Sequence, residues 1–247
     1  MKLKKSVDKR EFMPAIVVLA HKRTDVLRKV LEALTLCSGF DQHHLVVVID
    51  GSSPEVEKLV RDSTSPTVLV LTAPDPEKSS LARINRAFRG GLDTAFNYLC
   101  APFAIVLDDD VIVSEDFLTF VSRVHEEFGA DKRFRGVNGF SPLSLQDDDS
   151  LTNASVTQVN YGYSWGWSIN RSAYERIKKV FAIGSLEDAA PDALAEIYLR
   201  TGYMVNPALS RVWNLGFDSS ATHTNDHIAH LTGAALKRSF SDHQKSS

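Results

Sequence analysis

The sequence has little of what defines several large classes of protein. Its only cysteines, Cys37 and Cys100, lie far apart, so we expect neither a disulfide framework nor a cysteine-based zinc site, and we expect a reducing compartment. No apolar run approaches the roughly 20 residues that cross a bilayer. The net charge of −3 over 247 residues gives no basis for nucleic-acid binding.

Nucleotide-binding glycine motifs and targeting signals are missing as well. No Gly-x-Gly-x-x-Gly follows the first predicted strand and no Gly-Lys-Ser/Thr is present, which argues against dinucleotide-binding and P-loop proteins. The start of the sequence is basic but has no apolar core after it, so we expect no signal peptide. The sequence therefore predicts a cytoplasmic protein and leaves peripheral association with a membrane open.

What is present is a regular alternation of apolar runs and helical patterns. The composition, 43% hydrophobic and 24% charged residues, is typical of a globular protein. Apolar strands are predicted over 15–20, 45–49, 67–71 and 104–107. Helices are predicted between them, one capped by Thr24, one starting near Pro54 and one over 80–98. This order predicts an α/β fold with a mostly parallel sheet flanked by helices.

The fourth apolar run ends in three acids, Asp108, Asp109 and Asp110. Burying them unpaired would be costly, so we expect them at the carboxyl end of the strand, the edge where open α/β sheets bind ligands. Hard oxygen ligands suit Mg²⁺ or Mn²⁺ held together with substrate phosphates. The alternative is a solvated acidic turn.

Beyond the acids the pattern changes. Residues 133–170 are rich in Gly, Asn, Ser and aromatic side chains, and helical patterns return over 172–181 and 192–201. We predict one domain over 13–236, with a nucleotide-sugar-binding half (13–118) and an acceptor-binding half (119–236). An N-terminal extension (1–12) and a disordered polar tail (237–247) flank it.

Taken in order, several segments resemble the metal-dependent glycosyltransferases of the GT-A fold, and most of all the N-acetylglucosaminyltransferase I family. These segments are 15–23, 46–52, 81–86, 106–117, 165–167 and 207–214, followed by 225–227. The resemblance implies a Rossmann-like single domain, an inverting transfer from a UDP-sugar, expected to be UDP-GlcNAc, and Mn²⁺ or Mg²⁺ as cofactor. The acceptor would be a hydroxyl of a glycan or another molecule.

The resemblance also assigns roles on the donor side. Asp110 would bind the metal, while Asp108 and Asp109 would bind the ribose and orient the site. Asp50 would accept the uracil N–H, although capping the helix near Pro54 is an alternative.

Three arginines complete the predicted donor site. Arg23 follows the first strand, where the family has a nucleotide-binding arginine. Arg83 and Arg86 lie three residues apart on one helical face and could reach the diphosphate.

On the acceptor side, Asp192 is the candidate general base. It precedes Gly202 by ten residues, as the corresponding acid of the family precedes a glycine; Glu187 and Asp188 are alternatives. An inverting transfer needs one such carboxylate to take the proton of the acceptor hydroxyl.

Aromatic residues and histidines would complete the acceptor and sugar pocket. Trp165, Gly166 and Trp167 would contact sugar rings, with core packing as the alternative for a tryptophan. His223 and His227 would add a metal or phosphate contact.

Two other functions stay open from the sequence. A sugar nucleotidyltransferase also needs carboxylates and a metal, but usually has a Gly-rich basic loop where this chain has residues 20–24. A non-catalytic carbohydrate-binding domain of the same fold is the other alternative.

Overall fold

The computed structural model describes residues 12–63, 67–72, 79–141, 155–162, 165–181 and 201–217. Within these ranges it has ten strands and five α-helices. The first part of the chain contains β1 (Ala15–Ala20), α1 (Thr24–Leu36), β2 (His44–Ile49), α2 (Pro54–Ser63), β3 (Thr67–Leu71), α3 (Ser80–Asp93), β4 (Phe103–Asp108) and β5 (Val111–Val113). The second part contains α4 (Phe117–Phe128), β6 (Phe134–Asn138), β7 (Val156–Val159), β8 (Trp167–Asn170), α5 (Arg171–Phe181), β9 (Tyr203–Pro207) and β10 (Val212–Asn214).

Eight strands form one sheet in the order β3-β2-β1-β4-β8-β6-β9-β7. The first four are parallel to one another, and β6 and β9 run in the same direction, whereas β8 and β7 run opposite. A short antiparallel pair, β5 with β10, lies outside this sheet. The predicted α/β fold with a mostly parallel sheet is therefore confirmed.

Helices cover both faces of the sheet because its central strands are apolar on both sides. Along β1, Ile16 and Val18 face a core shared with α1, α2 and α4, while Ala15 and Val17 face a core shared with α3 and α5. Helix α1 buries a stripe at helical spacing, consisting of Leu27, Val30, Leu31 and Leu34. The apolar runs in the sequence thus form strands that are buried on both faces of the sheet, and this packing fixes the positions of the strand ends.

Two local predictions differ from the structure. The helix predicted over 80–98 ends as an α-helix at Asp93 and continues as a π-helical segment, Thr94–Tyr98. Thr24, predicted as a helix cap, is the first helical residue, and Arg23 occupies the N-cap position without a side-chain cap bond. This cap position leaves the Arg23 side chain available for contacts outside α1.

No described helix combines the length and the apolar composition needed to cross a membrane.

Candidate functional site

The acidic triplet lies at the edge of the sheet where β4 ends. Asp108 is the last residue of β4, and Asp109 and Asp110 form the turn into β5. The backbone N–H of Leu215 donates to the Asp110 carbonyl oxygen at 2.7 Å. Because β10 pairs with β5, the second half of the chain closes against this turn and fixes the position of the acids.

A single arginine joins two of these acids. Arg23 follows β1, the parallel neighbour of β4, and its Nη2 atom donates to Asp109 Oδ1 and also to Asp110 Oδ2, the latter at 2.8 Å. The Asp109 side chain is 7% exposed and that of Asp110 is 13% exposed, against 38% for Arg23. The site therefore combines a nearly buried acid pair with a cation that is open to solvent.

The protonation behaviour of this cluster follows from burial and charge. Burial raises the pKa of Asp109, and the Arg23 charge together with a bond from the His21 backbone opposes that shift. Burial would lower the pKa of Arg23, but the charges of Asp109 and Asp110 outweigh it and raise the pKa, so the guanidinium stays charged.

A second cluster forms around Asp50, directly after β2. Its Oδ1 accepts a hydrogen bond from Thr72 Oγ1 at 3.2 Å, and its Oδ2 lies 3.3 Å from Arg83 Nε. Arg86 Nη2 is 3.9 Å from Oδ1, and His21 Nδ1 is 2.8 Å from the Asp50 carbonyl oxygen. Within the described residues, the carboxylate contacts side chains after β1, after β3 and on α3 rather than the N–H groups of α2.

Local structure explains why these side chains converge. Arg83 and Arg86 lie in the first turns of α3, whose N-terminus is capped by the Ser79 side chain accepting from Ala82 N at 3.1 Å. Gly51 adopts a positive φ of 79° in the turn after Asp50, a conformation that favours glycine. Its N–H donates to Thr72 Oγ1 at 3.1 Å, tying the ends of β2 and β3 together.

Two residues of this edge, His21 and Thr72, were not among the candidates from the sequence. Both stand one residue beyond a predicted strand, His21 after β1 and Thr72 after β3. The rule that strand carboxyl ends meet at one edge could have found them.

The aromatic segment has a different environment. Trp167 is 4% exposed, belongs to the core, and stacks on Phe88 with ring centroids 5.7 Å apart. Trp165 is half-buried and packs edge-on against Phe140. Gly166 has a positive φ of 58°, and a Cβ there would lie 2.6 Å from Val212 Cγ1. For Trp167 the structure thus shows core packing, the alternative that the sequence left open.

Five candidates on the acceptor side, Asp192, Glu187, Asp188, His223 and His227, lie outside the described residues.

The donor set at the edge fits a divalent cation only in part. Within the described ranges, no three His, Cys, Asp or Glu side chains form a complete metal cage. The protein supplies the Asp109 and Asp110 carboxylates, and the single positive charge of Arg23 balances one of their two negative charges. One or two carboxylates are what a Mg²⁺-type site needs when substrate phosphates and water complete the shell, so these residues fit a metal that binds together with a phosphorylated ligand.

Solved structures with a similar fold include several of the protein TarS of S. aureus. One TarS structure superposes with a TM-score of 0.59 at 12% identity, covering 82% of this chain but only 36% of that chain. TarS residues 1–349 in complex with UDP-GlcNAc give a TM-score of 0.56 at 12% identity over 94% of this chain and 71% of that one. The complex with UDP gives 0.54 at 10% identity, covering 79% and 58%. At this identity the likeness shows a shared GT-A fold, and this chain spans about a third of the longer TarS chain.

Sequence comparison gives the family. No curated protein matches the chain. The model of a family described as "Glycosyltransferase like family 2" matches residues 14–168, more than half of the chain, from the start of β1 into β8. The match therefore includes both groups of charged side chains at the sheet edge, the one around Asp50 and the one around Asp109 and Asp110. The chain belongs to the glycosyltransferase-like family 2.

Proposed function

We propose that this glycosyltransferase transfers a sugar, expected to be GlcNAc, from a UDP-sugar to an acceptor hydroxyl with inversion and with Mn²⁺ or Mg²⁺ as cofactor. The observation that carries the proposal is the placement of two acid–arginine clusters, around Asp50 and around Asp109 and Asp110, at one carboxyl edge of a parallel sheet. That edge is where nucleotides bind in open α/β folds. The TarS structures, which were solved with UDP and with UDP-GlcNAc, support this donor class.

Asp50 is proposed to recognise the base. Its carboxylate is 13% exposed and held by Thr72 and Arg83. A carboxylate fixed in this way can accept an N–H from the polar edge of uracil. Arg83 and Arg86, 28% and 37% exposed, present guanidinium groups on the same side, and paired hydrogen bonds to phosphate oxygens are the preferred geometry of arginine.

The acid triplet is proposed to serve the diphosphate. Asp110 would hold the cation, and Asp108 at the end of β4 would orient the ribose. The sequence assigned Asp109 to the ribose as well, but because Arg23 contacts Asp109 and Asp110 together, we propose that Asp109 joins Asp110 at the cation. When bound, the metal would act as a Lewis acid that offsets the negative charge developing on the departing nucleoside diphosphate. Arg23 supplies a positive charge at the same edge.

The acceptor side rests on the sequence. We propose that Asp192, or Asp188 or Glu187 in its place, takes the proton of the acceptor hydroxyl. The hydroxyl oxygen then forms a bond to the anomeric carbon while the bond to the diphosphate oxygen breaks, and UDP leaves with that electron pair. Attack opposite the leaving group inverts the anomeric centre. Trp165, His223 and His227 are proposed to contribute to the pocket for the sugar and acceptor.

A product assay tests the function. The protein is incubated with UDP-GlcNAc and Mn²⁺, with and without simple glycoside acceptors. A parallel reaction contains pyrophosphate in place of the acceptor, and free UDP and UTP are measured in both. A glycosyltransferase releases UDP, a nucleotidyltransferase consumes pyrophosphate to make UTP, and a carbohydrate-binding domain does neither. UDP release that requires the metal supports the proposal, and its absence with every uridine-linked donor contradicts it.

A further inference from the structure

We propose that Arg23 is a resident cation of the metal site: it occupies the metal-binding carboxylates when no nucleotide is bound and moves to the donor diphosphate when a divalent cation takes its place. This inference rests on the proposed function, because it assigns Asp109 and Asp110 to the metal. It goes beyond that function by making Arg23 the element that couples metal binding to nucleotide binding.

The geometry of the contact is the first argument. One nitrogen atom, Nη2, donates to an oxygen of Asp109 and to an oxygen of Asp110. A guanidinium usually meets carboxylates with its paired nitrogens, whereas here one nitrogen of the group contacts two acids. A metal held by the same two oxygens would need the space that Nη2 fills, so Arg23 and the metal would compete for these acids.

Electrostatics is the second argument. Two neighbouring carboxylates with little exposure to solvent repel each other, and Arg23 neutralises one of the two charges. On one side Gly216 lies directly against Asp110, since a Cβ on Gly216 would be only 2.6 Å from Asp110 Oδ2. A metal that bound both carboxylates would therefore have to take the place of the guanidinium nitrogen between them.

The freedom of Arg23 is the third argument. Its side chain is 38% exposed. Arg23 precedes α1 but makes no side-chain cap bond to the helix, so no such bond is lost when the side chain moves. A diphosphate at this edge offers the displaced guanidinium paired oxygen acceptors. Metal binding releases Arg23 and the nucleotide accepts it, so each ligand strengthens the binding of the other, as thermodynamic linkage requires.

Binding of Mn²⁺ to the nucleotide-free protein tests the inference. Free Mn²⁺ is measured by electron paramagnetic resonance in titrations of the wild type, Arg23→Ala, Arg23→Lys and a control, Arg28→Ala. Arg28 is exposed on α1, so its variant loses the same charge away from the acids. Arg23→Ala should bind Mn²⁺ about tenfold more tightly than the wild type, within the usual range of coupling between two ligands. Arg28→Ala should match the wild type.

If the repulsion between the two acids prevents Arg23→Ala from folding, Arg23→Lys is the second variant, because it keeps a positive charge beside them. An ammonium is a point charge on a flexible stem and should bridge the two oxygens less well, which predicts an intermediate Mn²⁺ affinity. If no Arg23 variant binds Mn²⁺ more tightly than the wild type, the inference is overturned, and a protein that binds no Mn²⁺ with or without Arg23 overturns it equally.

The second measurement is the coupling itself. In the wild type, Mn²⁺ should strengthen UDP binding, and in Arg23→Ala this enhancement should shrink because the metal no longer releases a cation for the diphosphate. An enhancement of the same size in Arg23→Ala contradicts the proposed transfer of Arg23. If UDP does not bind to any variant, the proposed function fails, while the nucleotide-free Mn²⁺ comparison still decides whether Arg23 and the metal compete.

Discussion

The two edges of the central sheet differ in how they treat ionisable side chains. At the carboxyl edge, after β1, β2 and β4, charged groups meet in pairs that solvent can reach, as Arg23 does with Asp110 at 2.8 Å. At the amino edge, before β2 and β4, histidines are packed away: His125 stacks on Phe103 with ring centroids 3.9 Å apart, and burial lowers the pKa of His125 to about 3.

The carboxyl ends of these strands thus carry charged groups, whereas their amino ends lie in a neutral, aromatic environment. The His125 Nε2 atom lies 2.8 Å from Ser168 Oγ inside the core, a contact that serves stability. Changes at the carboxyl edge should therefore alter ligand binding or turnover in a folded protein, whereas changes at the amino edge should alter stability and its dependence on pH.

The largest effect is expected from Asp192, the residue proposed as the general base. Asp192→Asn keeps the size of the side chain but cannot take a proton, so transfer to an acceptor should fall by about 10² to 10⁴. UDP affinity should stay unchanged, since the general base acts on the acceptor. Asp188→Asn and Glu187→Gln, the alternative candidates, are measured in parallel, and near-normal transfer by Asp192→Asn would move the role to one of them.

The next effect concerns the metal. Asp110→Ala removes one of the two carboxylates bridged by Arg23, so the part of UDP affinity that depends on Mn²⁺ should disappear while binding in EDTA changes little. Calorimetry gives the UDP affinity with Mn²⁺ and the UDP affinity in EDTA. A variant that retains the full response to Mn²⁺ would show that Asp110 is not the metal ligand.

A smaller effect is expected at Asp50. Loss of one charge-assisted hydrogen bond to the base should weaken UDP binding by about 1.5–3 kcal/mol, with the enhancement by Mn²⁺ preserved. The control is Asp62→Ala, which removes an exposed acid paired with Lys58 four residues away and should leave UDP affinity unaltered. Normal UDP binding by Asp50→Ala together with a lower melting temperature would assign Asp50 a structural role.

The smallest effect belongs to the amino edge. An exposed histidine has a pKa of about 6.5, and burial lowers the pKa of His125 in the folded state, so below pH 6.5 the unfolded chain binds a proton that the folded protein does not. Stability should therefore fall as the pH drops below 6.5, by up to about 1.4 kcal/mol per pH unit from this group. The free energy of unfolding, measured with denaturant at several pH values between 7 and 5, should depend less steeply on pH in His125→Gln, whose side chain does not titrate. The same pH dependence in both proteins would contradict the assignment.

Much of the fold could be predicted because the signals are local. The runs that became β1 to β4 are apolar on both faces, and the helices between them show regular spacing, so their order already implied parallel pairing. Strands β6 to β8 lie in a stretch rich in Gly, Asn and Ser without such runs. The insertion of the antiparallel β8 between β4 and β6 depends on contacts between distant parts of the chain, which no local pattern encodes.

The same division holds for the site. The position of Asp50 and of the triplet after predicted strands placed them at one edge, and the structure brings Arg23, Arg83 and Arg86 to them. The sequence did not predict which arginine meets which acid, nor the contacts of His21 and Thr72 with the Asp50 segment. Trp167 was also ambiguous, because a tryptophan beside a glycine suits both a sugar pocket and a core strand.

The most direct test of the account is the affinity of the wild-type protein for UDP with Mn²⁺ and with EDTA, measured beside CDP. A site in which Asp50 reads the base and the triplet binds the diphosphate through a metal predicts tight UDP binding with Mn²⁺, weaker UDP binding in EDTA, and weaker binding of CDP under both conditions. Equal UDP affinity with and without the metal, or no preference for UDP over CDP, would contradict it.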